Sequence, residues 1–414
     1  MSSIQQIPLQ REIQVARPTL AAAPDSQYNV SIGYLRAFIT VLVVAHHAAL
    51  AYHPFAPPAP ASLLAQPRWW QAFPVVDSAR WIGWAVLVGF NDVFFMSLMF
   101  FLSGLFVWKS LQRKRAGAFV RDRVVRLGIP FAVAAAVIAP LAYYPTYLTT
   151  ASHTGIAGFW QQWRSLGNWP AGPAWFIWVL LAFGCLAAAM FLAIPEWGEA
   201  LGRICASASR RPILFFGLLL AASGLTYIPM EMKFNAFAWS SWGPFVFQTS
   251  RILHYFVYFL LGAGVGAAGL GKGLLAADGK LPRRWILWSV AALVAFVAES
   301  AVAIAAFSPH ASPRLWELAA DCGFVLSCAA TSFAFLSLFV RFAKSRSKIW
   351  DSLTANAYGI YLVHYAFVSW LQYSLLKAAL PGIAKGSLVI LGALALSWVT
   401  TAALRRIPAV ARVI

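Results

Sequence analysis

Charge is what this 414-residue chain has least of: only 11% of its residues are Asp, Glu, Lys or Arg. A soluble domain carries roughly 25%, so the polar surface needed to face water on all sides is missing. Acid is scarcest, with 13 Asp and Glu against 32 Lys and Arg. The four cysteines (Cys185, Cys205, Cys322 and Cys328) form no Cys-x-x-Cys pair and lie in or beside apolar runs. That pattern argues against a disulfide framework or a metal site and leaves them as small apolar fillers. There is no Gly-rich phosphate loop, no internal repeat and no acidic cluster in a large loop. Residues 1–30 lack an apolar core and are broken by Pro8, Pro18 and Pro24, so they read as a flexible cytoplasmic tail and not as a signal peptide.

Long apolar runs fill the rest. Hydrophobic residues make up 61% of the chain, with a mean hydropathy of +0.70, and lipid must be the main solvent. About 20 apolar residues cross a bilayer as a helix. Ten stretches qualify: 32–53, 85–107, 129–148, 174–194, 213–230, 251–270, 285–306, 317–340, 353–375 and 386–404. Lipid offers no partner to an unpaired backbone group and no series of alternating strands is visible, so the reading is an all-α, polytopic membrane domain over 31–414. With the N-terminus inside, 24 of the 32 basic residues fall in inner segments, which places both termini in the cytoplasm. The same bias accounts for the +19 net charge without nucleic acid.

Polar groups inside spans are candidates for function, because a central charge costs roughly 2.5–3.5 kcal/mol on insertion scales. The first span, IGYLRAFITVLVVAHHAALAY, contains Arg36, His46 and His47. Eleven residues separate Arg36 from His47, roughly 16 Å along a helix and within ~20° of three full turns, so the two share a face. Arg36 reaches the inner interface by snorkelling, whereas His47 lies near mid-membrane. His46 is rotated by about 80° and reads as packing between helices. Arg123 and Arg126 stand three apart at the mouth of the third span, where both can meet one anion, and guanidinium forks suit phosphate oxygens. Tyr361 and His364, one turn apart in the ninth span, line the same cavity or link helices. Glu317 and Asp321 read as ordinary first-turn acids. Ten tryptophans on the outer side, including Trp70, Trp81, Trp163 and Trp242, read as an interfacial belt.

These motifs, taken together, resemble the membrane-bound acyltransferase 3 family. Arg36, ten residues, then His47 is similar to its first-span signature, FFLSG at 100–104 to its second-span motif and RVVR at 123–126 to its Arg-x-x-Arg pair. PAWFIWVLL at 173–181 and AYGIYLVH at 357–364 resemble its later span motifs, and the likeness covers 32–370. The resemblance implies a bacterial inner-membrane O-acyltransferase that takes an acyl group from cytoplasmic acyl-CoA. Acetyl or succinyl is the expected group, with acetyl-CoA the first choice of donor. The implied acceptor is a hydroxyl of an extracytoplasmic or membrane-presented carbohydrate. Under it His47 is the catalytic histidine, Arg36 its partner, and Arg123 with Arg126 the contacts for the CoA phosphates. Asp92, Ser103, Tyr361 and His364 are further candidates for substrate contact. Many relatives carry Asp where this chain has Ser97, and Asp92 lies five residues earlier. Imidazole, with an intrinsic pKa near 6.5, suits proton removal from a sugar hydroxyl or transient acylation. No resident cofactor and no metal is expected. The rival reading is a polytopic transporter or flippase, which would also bury Arg and His, but the paired repeats of such folds are not visible.

Overall fold

The computed structural model describes residues 24–57, 67–151, 155–306 and 313–414. The helices in chain order are α1 (Pro24–Leu50), α2 (Pro67–Ala72), α3 (Ile82–Gly104), α4 (Val107–Arg123), α5 (Ile129–Val133), α6 (Ala139–Thr150), α7 (Ile156–Ser165), α8 (Trp175–Ala193), α9 (Trp197–Ser209) and α10 (Pro212–Phe234). A hairpin of β1 (Trp239–Trp242) and β2 (Phe245–Gln248) follows. The chain then continues through α11 (Ile252–Ala268), α12 (Lys280–Arg283), α13 (Trp285–Ala306), α14 (Pro313–Phe342), α15 (Lys348–Ser374), α16 (Gly382–Leu404) and α17 (Pro408–Ala411).

Among the described residues, eight helices are long and apolar enough to cross a membrane, and a ninth is added if α11 and the segment Gly273–Arg283, bent by 81°, count as one span. The chain is thus an all-α, multi-pass membrane protein. Helix α15 coincides with the ninth expected span but falls outside that count, because Asn356, Tyr358, His364 and Gln372 lower its hydropathy. Three local features depart from the sequence reading. The basic stretch after α3 is helical, since its Lys, Arg, Gln and Ala are good helix formers, with a break at Arg115 (φ 60°). Residues 197–209 form α9, packed on α11. A two-stranded hairpin is also present, turning at Gly243 (φ 56°) and Pro244.

Two contacts set the core. The first is backbone against backbone: a Cβ on Gly104 would meet Phe259 O at 2.1 Å, one on Gly262 would meet Phe101 O at 2.1 Å, and one on Gly266 would meet Leu105 O at 1.8 Å. The glycine of FFLSG and the Gly262-x-x-x-Gly266 pair therefore let α3 and α11 touch, in the small-residue packing that membranes favour. The second contact concerns prolines. From α4 to α6 the helix runs on through two turns with i→i+5 hydrogen bonds, Val124–Gly128 and Ala134–Ile138, where Ile129 N–H bonds Val124 O and Ala139 N–H bonds Ala134 O.

Pro130, Pro140 and Pro145 lie in this rod and cannot donate backwards. A side-chain donor reaches a carbonyl four or five residues before each of them. Tyr358 Oη donates to Arg126 O at 2.7 Å, four residues before Pro130. Trp169 Nε1 donates to Ala135 O at 2.9 Å, five before Pro140 in a widened turn. Trp370 Nε1 donates to Leu141 O at 2.9 Å, four before Pro145. Lipid forces this matching, because a bare carbonyl has no water to turn to.

This pairing generates a double-mutant test. Trp370→Phe should cost about 0.6–2 kcal/mol of stability in detergent, while in a Pro145→Ala background, where a backbone N–H is restored, the same change should cost much less. Thermal unfolding of the four proteins measures the coupling; equal losses in both backgrounds would show that the Trp370 bond does not stand in for the missing amide.

Candidate active site

Helices α1 and α15 pack together along their length. Tyr34 Oη donates to Asp351 Oδ1 at 2.8 Å, and Ser31 Oγ donates to Ala343 O in the turn before α15 at 2.8 Å. At the other end the amide of Gln372 donates to His47 O at 3.0 Å and Ala48 O at 3.1 Å. Those carbonyls belong to the last turn of α1 and have no donor within their own helix.

This clamp brings His47 and His364 together. His364 Nε2 is 3.2 Å from His47 Nδ1, His47 Nδ1 is 2.9 Å from Val43 O, and His364 Nδ1 is 2.7 Å from Tyr361 O. One assignment of protons satisfies all three contacts. A carbonyl only accepts, so His364 Nδ1–H donates to Tyr361 O and its Nε2 carries a lone pair. His47 Nδ1–H is then shared between Val43 O and His364 Nε2. The consequence is that His47 Nε2 is the unprotonated nitrogen, the form a base or nucleophile requires. His364 is fully buried, at 0% exposure, and His47 is half-buried. The ring of Tyr365 packs edge-on against His47 with centroids 5.1 Å apart.

The position of His47 differs from the sequence expectation of mid-membrane depth. It lies three residues before the end of α1, beneath the segments that connect the helices, because the helix stops at Leu50 and the chain folds back over it. Tyr143 Oη and Tyr365 Oη both donate to Gln71 O, at 2.9 and 3.4 Å. Gln71 Nε2 donates to Asn168 Oδ1 at 2.8 Å, and Trp70 stacks on Tyr143 at 5.2 Å. Trp70 and Trp163 are buried in this cover and so are not belt residues, whereas Trp242 is exposed. A buried ion pair, Lys385 Nζ to Asp77 Oδ2 at 2.7 Å, ties the cover to α16. Beside it Arg80 donates to His53 O at 2.6 Å; burial first, then the Arg80 charge, hold the His53 imidazole below its usual range.

At the far end of α1 a basic group gathers. Arg36 is exposed, and its charge acts on Arg123 together with that of Arg126. The Arg123 guanidinium lies 5.0 Å over the Phe119 ring. The widened turn between the two motif arginines rotates Arg126 further from Arg123 than a regular turn would. Among the described residues the ion pairs are Lys114–Asp122, Arg251–Asp92, Arg346–Asp351 and Lys385–Asp77, so none of these three arginines has a carboxylate partner.

The remaining candidates are placed elsewhere. Asp92 pairs with Arg251 at 2.7 Å, and Arg251 is 4% exposed. Ser97 faces the fully buried His254, with Oγ 3.1 Å from Nε2. Ser103 lies twelve residues, about 18 Å, beyond Asn91, whose amide donates to Leu42 O; it therefore belongs to the Arg36 end and not to the histidines. Tyr361 Oη donates to Pro173 O, so its hydroxyl is engaged while its ring stays beside His364. Sequence reasoning missed Tyr143, Tyr365, Gln71 and Gln372. Gln372, an amide within a span, carried a usable signal; the tyrosines did not, since aromatic residues crowd every span.

The family model described as an acyltransferase domain matches residues 29–402, a range that contains both histidines and all three arginines. Comparisons with curated proteins and with solved structures found no match.

The proton assignment is open to direct measurement. In protein labelled with 15N-histidine, His47 should show a protonated Nδ1 and an unprotonated Nε2 at neutral pH, and His364→Leu should weaken that preference. A His47 protonated at Nε2 in the unaltered protein would overturn the assignment.

Proposed function

Because the chain belongs to the acyltransferase family matched over residues 29–402, we propose that this membrane acyltransferase moves an acyl group from cytoplasmic acyl-CoA to a hydroxyl of an extracytoplasmic or membrane-presented carbohydrate. The observation that carries the reading is the His47–His364 contact, which leaves His47 Nε2 free to act. The three unpaired arginines support the donor side. Phosphates carry the charge that guanidinium groups lack here, and Arg forks match them in geometry. Arg36 and His47 are separated by roughly 16 Å of helix, which suits a donor whose phosphates and thioester are joined by a long flexible arm.

In this reaction His47 Nε2 takes the proton of the acceptor hydroxyl as its oxygen attacks the thioester carbonyl. The new bond is oxygen to acyl carbon, and the bond lost is carbon to sulfur. The leaving thiolate receives the proton from His47, so no net proton is consumed. His364 holds Nδ1–H through both steps and favours the imidazolium that forms between them. The surplus of basic residues in the segments next to the Arg36 end supports a cytoplasmic side there, with both termini on the same side. A bacterial inner membrane fits the same arrangement, with acceptor glycan reaching the covered His47 end.

Purified protein in lipid nanodiscs, supplied with labelled acetyl-CoA and a glycan acceptor, tests the reading. His47→Ala and His47→Gln should give no transfer at normal expression, while His46→Ala keeps most of it. Arg123→Glu and Arg126→Glu should each raise the half-saturating donor concentration by about tenfold to a hundredfold, the equivalent of one charge-assisted hydrogen bond, with kcat little changed. An active His47→Gln, or unchanged donor saturation in both Glu variants, would sink the respective role.

A further inference from the structure

One shared proton, between Val43 O and His364 Nε2, holds the His47 imidazole along a single edge. Rotation about its Cβ–Cγ bond is a soft, roughly two-fold torsion, so packing must keep the ring from turning. Three rings lie against it, with centroids at 5.4 Å for His46, 5.1 Å for His364 and 5.1 Å for Tyr365. His364 is on the hydrogen-bonded edge, and His46 is the preceding residue of the same helix. Tyr365, edge-on at 75° and 5% exposed, is the contact that comes from another helix and makes no hydrogen bond to the ring.

Tyr365 is itself seated by both connecting segments. Its hydroxyl donates to Gln71 O at 3.4 Å, the carbonyl that Tyr143 Oη holds at 2.9 Å, and the Tyr143 ring lies edge-on to it at 5.6 Å. The turn Gly172–Ala174 runs beside the same ring. A Cβ on Gly172 would stand 3.2 Å from both Cδ1 and Cε1 of Tyr365, closer than packed carbons sit. The φ of Gly172, 55°, is also in the left-handed region that glycine enters without strain. Tyr361 Oη pins this turn to α15 through Pro173 O. Glycine therefore lets the turn close on the Tyr365 ring without displacing it.

Resting on the acyl-transfer reading above, we infer that Tyr365 is a positioning residue: it acts on the reaction through the His47 ring, whose Nε2 it keeps in one direction. A misplacement of about 1 Å in a reacting group costs up to about a hundredfold in rate. Donor binding at the arginines, toward the other end of α1, does not depend on that contact. The seat also ties the direction of the imidazole to the cover, since Gln71 and the Gly172 turn together leave the Tyr365 ring one position.

Transfer from acetyl-CoA to a glycan acceptor in nanodiscs, read beside 15N-histidine spectra and thermal unfolding, tests the inference. Tyr365→Leu should lower kcat by about tenfold to a hundredfold, leave the half-saturating acetyl-CoA concentration unchanged, and weaken the Nδ1–H preference of His47. Tyr365→Phe, which keeps the ring and loses one long hydrogen bond, should retain that preference and lose less than about threefold in kcat. Gly172→Ala should reproduce the Tyr365→Leu pattern in milder form, through the displaced ring. A Tyr365→Leu protein with undiminished kcat, or one whose His47 spectrum is unaltered while its unfolding temperature falls, would overturn the positioning role and leave the transfer reaction standing. No acetyl transfer by the unaltered protein, with the His47 spectrum still responding to Tyr365→Leu, would sink the transfer reaction and leave the ring contact in place.

Discussion

Backbone carbonyls inside a bilayer have no water to bond, and three prolines in one helical rod withhold the amides that would meet them. The rod from α4 to α6 is therefore incomplete by itself. Two of its three side-chain donors, Tyr358 and Trp370, come from α15, and the third is Trp169. Helix α15 is fixed to the rod at two points twelve residues apart, and His364 lies midway between them. The depth and facing of that histidine follow from the bonds at either side, before any contact with α1 is considered.

The same helix then meets α1, and polar matching again decides the result. Gln372 takes the last-turn carbonyls of α1, and His364 takes the Nδ1–H of His47. A buried polar network of this kind is rigid when every member is satisfied, and here each proton has one consistent place. The geometry of the histidine pair is thus an outcome of the rules that hold the bundle together. Arg36 and His47 stand toward opposite ends of one face of α1, roughly 16 Å apart along the helix, which keeps the arginine charge away from the imidazole pair.

Burial of charge elsewhere serves position. The Asp77–Lys385 pair is almost fully buried, and such pairs offset their own desolvation only with added hydrogen bonds. Those are present: Ala79 N–H donates to Asp77 Oδ1 at 2.8 Å, and Lys385 Nζ donates to Leu376 O at 3.3 Å. The pair anchors the cover over His47 to the helix beside it. Arg251 does the same for Asp92, with a second bond to the Asp92 carbonyl at 3.1 Å.

Much of the architecture was legible in the residues alone. Apolar length and scarce charge report the solvent around a segment, which is a local property, so the all-α membrane fold and most helix positions could be read directly. His47 stood out as a candidate for a related reason: a polar group in an apolar run has a cost wherever it is, and that cost marks it. Which polar group answers which was not legible. Asp92 looked available until Arg251, 159 residues away, was seen to hold it. Ser103 was a candidate for substrate contact beside the histidines until its depth on α3 put it at the other end, and its neighbour Gly104 proved to be the motif's packing element. His47 and His364, 317 residues apart, carry no mark of each other in sequence. Helical period places a residue on its own helix, but the partner of a buried hydrogen bond is chosen by how distant helices dock, and only the tertiary structure decides that.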